Sequence, residues 1–218
     1  MKTKNIILSA FKKYGRYHRN SGELAAAQLD QTTLGKFVVR QEIFPCTIPL
    51  VGENRGRHLF ERARTFNASA IICLGMASGK KGLCIETRTM NAINNEKYCP
   101  ELSGQPIDSR FAYRRVLDLD LRVWHMDDLL IGRDKTELPP IKVSTNPGGG
   151  WCNHLIWQLR AAQLEDIECA SIPFIFIHIP CSPECVGGNM EFKRQRKSTL
   201  KVSQIIQGLE TILRIATI

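Results

Sequence analysis

Residues 172–180 read IPFIFIHIP, and that run constrains the fold more than any other stretch. Extended, it puts Phe174, Phe176 and His178 on one face and Ile175, Ile177 and Ile179 on the other. A strand that is apolar on both faces must be covered on both. The same kind of run recurs as NIILSAF (5–11), FVVRQEIF (37–44), SAIICLG (69–75) and IKVST (141–145). Each is short, rich in β-branched or aromatic residues, and bounded by Gly, Pro, Asn or charge, as strands are. Between them lie helical patterns. SGELAAAQLDQ begins with a serine that can cap it, and VGENRGRHLFERARTF places Leu59, Phe60 and Ala63 on one face. WCNHLIWQLRAAQL aligns Leu155, Ile156, Leu159 and Ala162; STLKVSQIIQGLETILRIA aligns Val202, Ile205, Ile206, Leu209 and Leu213. This alternation predicts an α/β fold: a single-domain α/β/α sandwich over residues 1–218 with a twisted, mostly parallel mixed sheet. Residues 82–120 carry no helical pattern and read as extended segments and loops.

The 218 residues, 43% hydrophobic, suffice for one proper core, and no apolar run approaches the length that spans a bilayer. The opening MKTKNIILSAFKKYGR loses its apolar character at Phe11, and more lysines follow without a small-residue cleavage site. It therefore reads as a first strand rather than a signal peptide. Eight cysteines contain no CxxC pair; Cys181 and Cys185 form a lone C-x3-C, so no structural zinc is expected. Cys73 and Cys84 read as core, and the thiols as reduced. The net charge of +9 raises the question of nucleic acid. The densest basic run, KRQRK at 193–197 with Lys201 beyond, has no interleaved aromatics and no accompanying motif. It reads as a solvated loop, with neither nucleic acid nor membrane expected as a partner.

The stretch STNPGGGWCNHL, 144–155, sets a glycine run against a cysteine at a helix start. Either the glycines make a tight turn beside a small buried residue, or the turn holds a thiol where a helix start lowers its pKa. In open α/β sheets, sites form beyond the carboxyl ends of the strands. The turn follows IKVST, which places Cys152 at such an end, and His178 closes its strand at the same rim. A lone strand histidine is ordinarily a hydrogen-bonded core residue; two reactive side chains at one rim change that reading. Glu86 adds a carboxylate within the apolar, β-branched stretch GLCIETRTMN (82–91). It either forms a salt bridge with Arg88 or another arginine, or orients a histidine and stabilises its cationic form. Cysteine, histidine and acid together make a nucleophilic triad for acyl transfer.

These segments resemble the pyroglutamyl peptidase I family of cysteine peptidases nearly end to end. SAFKKYG (9–15) stands where the family has G-F-x-P-F-G. IICLGMASGKKGLCIETRTMN (71–91) stands where it has a G-x-A-x-G-R turn and an E-R-x-A-x-N segment. GQP (104–106), the Cys152-Asn153 pair and FIHIP match as well. The resemblance implies Cys152 as nucleophile, His178 as base and Glu86 as orienting acid. They would remove an N-terminal pyroglutamyl (5-oxoprolyl) residue from peptides through an acyl-enzyme. It further implies a cytoplasmic enzyme without metal or organic cofactor, and the family's habit of forming tetramers. Phe11 and Tyr14 map to the aromatics that bound the lactam slot; without the resemblance they read as core and loop residues. The departures are Ala10, Lys12-Lys13, Thr87 beside Glu86, and Trp151 before the nucleophile. The family's oxyanion-region arginine has no direct counterpart; one inserted residue would bring Lys97 to its place. The Tyr14 hydroxyl, unpaired by a lactam, is expected to weaken turnover of simple pyroglutamyl substrates. Two other readings stay open: an amidase for a different N-acyl group, and a non-catalytic binding protein on the same fold.

Overall fold

The computed structural model describes residues 4–15, 17–47, 53–97, 99–131, 139–186 and 199–218. The basic run 193–197 lies outside the described residues. In chain order the elements are β1 (Lys4–Phe11), α1 (Ser21–Leu29), β2 (Thr33–Leu34), β3 (Phe37–Phe44), α2 (Arg55–Thr65), β4 (Ala68–Met76), β5 (Leu83–Glu86), β6 (Arg88–Met90) and β7 (Val116–Asp118). They continue with α3 (Met126–Ile131), β8 (Ile141–Ser144), α4 (Trp151–Glu165), α5 (Ile167–Ala170), β9 (Phe174–Ile179), α6 (Pro183–Val186) and α7 (Val202–Ile215). Among its described residues the stretch 82–120 holds short strands and a single 3-10 turn, in keeping with its lack of helical periodicity.

A seven-stranded sheet in the order β2-β3-β1-β4-β9-β5-β8 carries the molecule, and β6 pairs with β7 in a separate ribbon. The central pairs β3-β1, β1-β4 and β4-β9 are parallel. The terminal β2 is antiparallel to β3, and β5 is antiparallel to β9 while parallel to β8. The sheet is therefore mixed and mostly parallel, as the pattern predicts.

One direction was not foreseeable. Because β5 and β8 run against β9, the carboxyl end of β8 points away from the rim at which β9 ends. The turn at 145–150 has to carry the chain back before α4 begins. Hydrophobic alternation is the same whichever way a strand runs, so the periodicity could not have shown this.

Strand alternation divides the core in two. Ile6, Leu8, Ile72, Leu74, Ile175 and Ile177 face α1 and α7 through Ala25, Ala26, Ile205 and Leu209. Ile7, Ile71, Cys73, Phe174 and Phe176 face α2 and α4 through Leu59, Phe60, Leu155 and Leu159. Two of the helix starts are capped by asparagine: Asn20 Oδ1 accepts from the Gly22 N–H, and Asn54 Oδ1 from the Arg57 N–H. Ser21, the expected cap of α1, instead turns its hydroxyl to Met76 Sδ at 3.4 Å. Helices α2 and α4 cross closely at Gly56, where a Cβ would lie 2.6 Å from the Gln158 backbone.

Candidate active site

The glycine run before α4 is a fitting piece. Gly148 has φ +78°, a left-handed conformation that side chains resist, and a Cβ on Gly149 would lie 2.4 Å from that of Asn94. The Asn94 N–H donates to the Gly149 carbonyl at 2.8 Å, so the turn and the 92–95 strap meet backbone to backbone. Asn153 then locks the helix start in place. Its Nδ2 donates to the carbonyls of Met90 (2.7 Å) and Ala92 (3.0 Å), and its Oδ1 accepts from the Thr89 hydroxyl and the Met90 N–H. All four hydrogen-bonding positions of this buried amide are used. The asparagine next to Cys152 is thus a clamp that fixes the turn presenting the thiol.

The three residues singled out as a triad lie on the same face of the sheet. In the β4-β9 register Gly75 pairs with His178. A Cβ on Gly75 would sit 2.7 Å from Cys152 Sγ and 2.8 Å from the Phe176 ring. The sulfur thus occupies the space above Gly75, beside the histidine strand. His178 shares its face with Phe176, whose ring packs edge-on at 5.1 Å. In the antiparallel β5-β9 register Cys84 pairs with His178, so Glu86, two residues on, emerges on that face one step deeper. His178 Nδ1 and Glu86 Oε1 are 2.7 Å apart, with both residues buried. An ionised carboxylate can only accept, which assigns the proton to Nδ1 and leaves Nε2 as the ring's acceptor.

Electrostatics correct one expectation. Burial pushes the Cys152 thiol well above its ordinary range, and the fields of Cys46 and Glu86 push the same way. Its own backbone N–H at the helix start pulls downward and is outweighed. The resting group is a thiol whose proton must be removed, not a standing thiolate. Arg88 does not serve Glu86; it pairs with Asp118 at 2.7 Å. The cation beside Glu86 is Lys80, with Nζ 3.7 Å from Oε1.

A pocket of about 560 Å³ opens over Cys152. Its walls include Phe11, Tyr14, Trp151 and Met76, with Asn20, Asn95 and Lys80 supplying polar groups. Phe11 and Tyr14 both line this pocket. The Tyr14 ring meets Trp151 edge-on at 5.4 Å, and its hydroxyl donates to the Met76 carbonyl at 2.9 Å. That hydroxyl has its partner, contrary to the expectation that it would face the substrate unpaired. Lys97 is exposed and is not among the lining residues; Asn95 stands on the wall instead. Lys12 and Lys13 face solvent. Sequence reasoning missed Lys80, Asn95, the clamping role of Asn153 and the clearance at Gly75, all of which depend on contacts far apart in the chain. Among the described residues no His, Cys, Asp or Glu cluster could hold a metal ion, and no helix is long and apolar enough to cross a membrane.

With this geometry in view, comparison with known proteins gives the class. The chain belongs to the pyroglutamyl peptidase family, whose model matches residues 4–217. It is 26% identical to the pyrrolidone-carboxylate peptidase of Bacillus cereus over 220 residues, covering 98% of this chain and 93% of that one. It is also 26% identical to its namesake from Streptococcus pyogenes over 215 residues, covering 95% and 90%. Among solved structures, pyroglutamyl peptidase I from Bacillus amyloliquefaciens superposes with a TM-score of 0.78 at 21% identity, covering 99% of this chain and 95% of that one. Pyrrolidone carboxyl peptidase from Pyrococcus furiosus gives 0.77 at 19%, with 97% of each chain covered. The chain is a peptidase of this family.

Proposed function

We propose that the protein hydrolyses the bond after an N-terminal pyroglutamyl residue of peptides, using Cys152, His178 and Glu86, and that it acts in the cytoplasm as a single domain. The observation that carries this reading is the buried His178–Glu86 pair on the sheet face where Cys152 Sγ rests against Gly75, below an aromatic-walled pocket. His178 Nε2 takes the Cys152 proton as the sulfur attacks the pyroglutamyl carbonyl carbon. The tetrahedral oxyanion is met by backbone N–H groups at the start of α4. The C–N bond then breaks, and the leaving amine takes the proton from His178, leaving a thioester. Water, deprotonated by His178, attacks the thioester and releases pyroglutamate and the free thiol. Glu86 holds Nδ1–H throughout and stabilises the transient imidazolium. Phe11, Tyr14 and Trp151 offer flat faces to an uncharged lactam ring.

Turnover of a pyroglutamyl-coumarin amide by the purified protein tests the reading. The expected result is release of the coumarin, with the Cys152→Ala variant inactive. Release of coumarin only from other N-acyl amides would favour the amidase reading, and no release from any would favour a binding protein.

A further inference from the structure

Lys80, in the turn between β4 and β5, is the only charged side chain among the described residues that line the pocket. Its side chain is 30% exposed, whereas Glu86, 3.7 Å from its Nζ, is fully buried. Of the two Glu86 oxygens, Oε1 accepts from His178, and Oε2 meets no hydrogen-bond donor among the described residues. A buried carboxylate with one oxygen unserved is costly to keep ionised unless a cation stands close. The other titratable groups that bear on the pair are few. Cys84 on β5 and Cys152 on α4 are held as neutral thiols, chiefly by burial. Lys142 on β8 projects its field on Cys84. Lys80 alone is in ion-pair contact with the carboxylate among the described lysines and arginines, and the Ser144 hydroxyl 3.3 Å from Nζ steadies its position.

We propose that Lys80 is a positioning residue for the reaction: its ammonium keeps Glu86 ionised, which keeps His178 oriented with Nδ1 protonated and Nε2 free to take the thiol proton. The proposal rests on the triad reading above. Lys80 acts through Glu86 and touches no reacting atom. Without the ammonium the His178–Glu86 pair takes up a proton more readily, because a positive charge beside it is gone. Activity then fails at a higher pH on the acid side.

The experiment is the pH profile of kcat/KM on a pyroglutamyl-coumarin amide for wild type, Lys80→Met, Lys80→Arg, Glu86→Gln and the Lys80→Met/Glu86→Gln double variant. Circular dichroism checks each fold, and Lys80→Gln replaces any Lys80→Met that fails to fold. In Lys80→Met the acid limb is expected to move up by about one pH unit. Its kcat at neutral pH falls about tenfold to a hundredfold with KM little changed. Lys80→Arg restores the limb, and Lys80→Met costs nothing further in the Glu86→Gln background. An unshifted limb, a loss confined to KM, or an additive loss in the double variant overturns the proposal. If Glu86→Gln is itself fully active, the triad reading fails; if Glu86→Gln is crippled while Lys80→Met keeps its limb, only the role of Lys80 falls.

Discussion

His178 Nδ1 and Glu86 Oε1 meet at 2.7 Å inside the protein, an imidazole and a carboxylate joined across two antiparallel strands. The bond sets which ring nitrogen carries the proton, so its effect is on reactivity more than on stability. In Glu86→Gln the amide can present either a donor or an acceptor to Nδ1, and the useful tautomer is no longer enforced. The expected loss is about 10²- to 10⁴-fold in kcat, with a thermal midpoint close to wild type. Steady-state kinetics beside a thermal melt measures both; full activity in a destabilised variant would make Glu86 a purely structural partner.

Only Cys46 and Cys152 of the eight cysteines are half-buried; the other six are buried. Burial pushes both thiols up from their ordinary range, Cys46 to about 12. They differ in where the proton can go. The Cys46 thiol points to the Lys12 carbonyl at 3.0 Å, which cannot take it, whereas Cys152 lies beside the His178 strand. Iodoacetamide should therefore alkylate Cys152 first, with activity lost in step. Labelling should quicken as pH rises and slow at Cys152, but not Cys46, in His178→Gln. Peptide mapping reads each site separately.

Tyr14→Phe removes the donor to the Met76 carbonyl. The variant should lose about 1 kcal/mol of stability and gain nothing in kcat/KM on pyroglutamyl substrates. Denaturant titration and kinetics decide this. An improved variant would mean that the hydroxyl turns from Met76 to face the ligand.

His154, buried two residues after Cys152 with no hydrogen bond to its Nδ1 among the described residues, is held to about 4 from an ordinary 6.5, mainly by burial and then by Arg55. The unfolded chain takes up its proton near 6.5 and the folded chain only near 4. Between those values the unfolded state binds more protons, so stability falls as pH drops through that window. The contribution lost is about 3 kcal/mol by pH 4. His154→Phe should flatten this part of the stability profile in urea titrations across pH, and an unchanged slope would assign it to the carboxylates.

The long elements were legible because each repeats its period over enough residues to register. That holds for β1, β3, β4 and β9, for α2 and α4, and for α7. Strands such as β5 and β6 are too short to show a period, and strand direction leaves no trace in alternation at all. Placing Cys152 at a strand's carboxyl rim assumes that β8 runs with β9; the thiol is beside the histidine strand, but the turn at 145–150 delivers it there. Read as an ion pair, Glu86 points to Arg88 or another arginine, the cations its own sequence neighbourhood suggests. A strand's neighbours i and i+2 share a face without reaching each other as well as a turn residue can, and Lys80 arrives from such a turn. Lys97 failed for a related reason: where one inserted residue falls within a loop decides which side chain faces inward, and only the fold shows it.

Gly75 has one more implication. The sulfur sits over a strand position that contributes no side chain, and the Phe176 ring closes the same space. Variation at that point of the sheet is closed off, since even a methyl group would displace the thiol. The walls of the pocket, by contrast, come mostly from turns and element ends: Tyr14, Asn95, Pro147 and Trp151. Inherited change in what this peptidase accepts therefore has somewhere to occur without touching its chemistry, and the turn residues are where diverging relatives should record their diets.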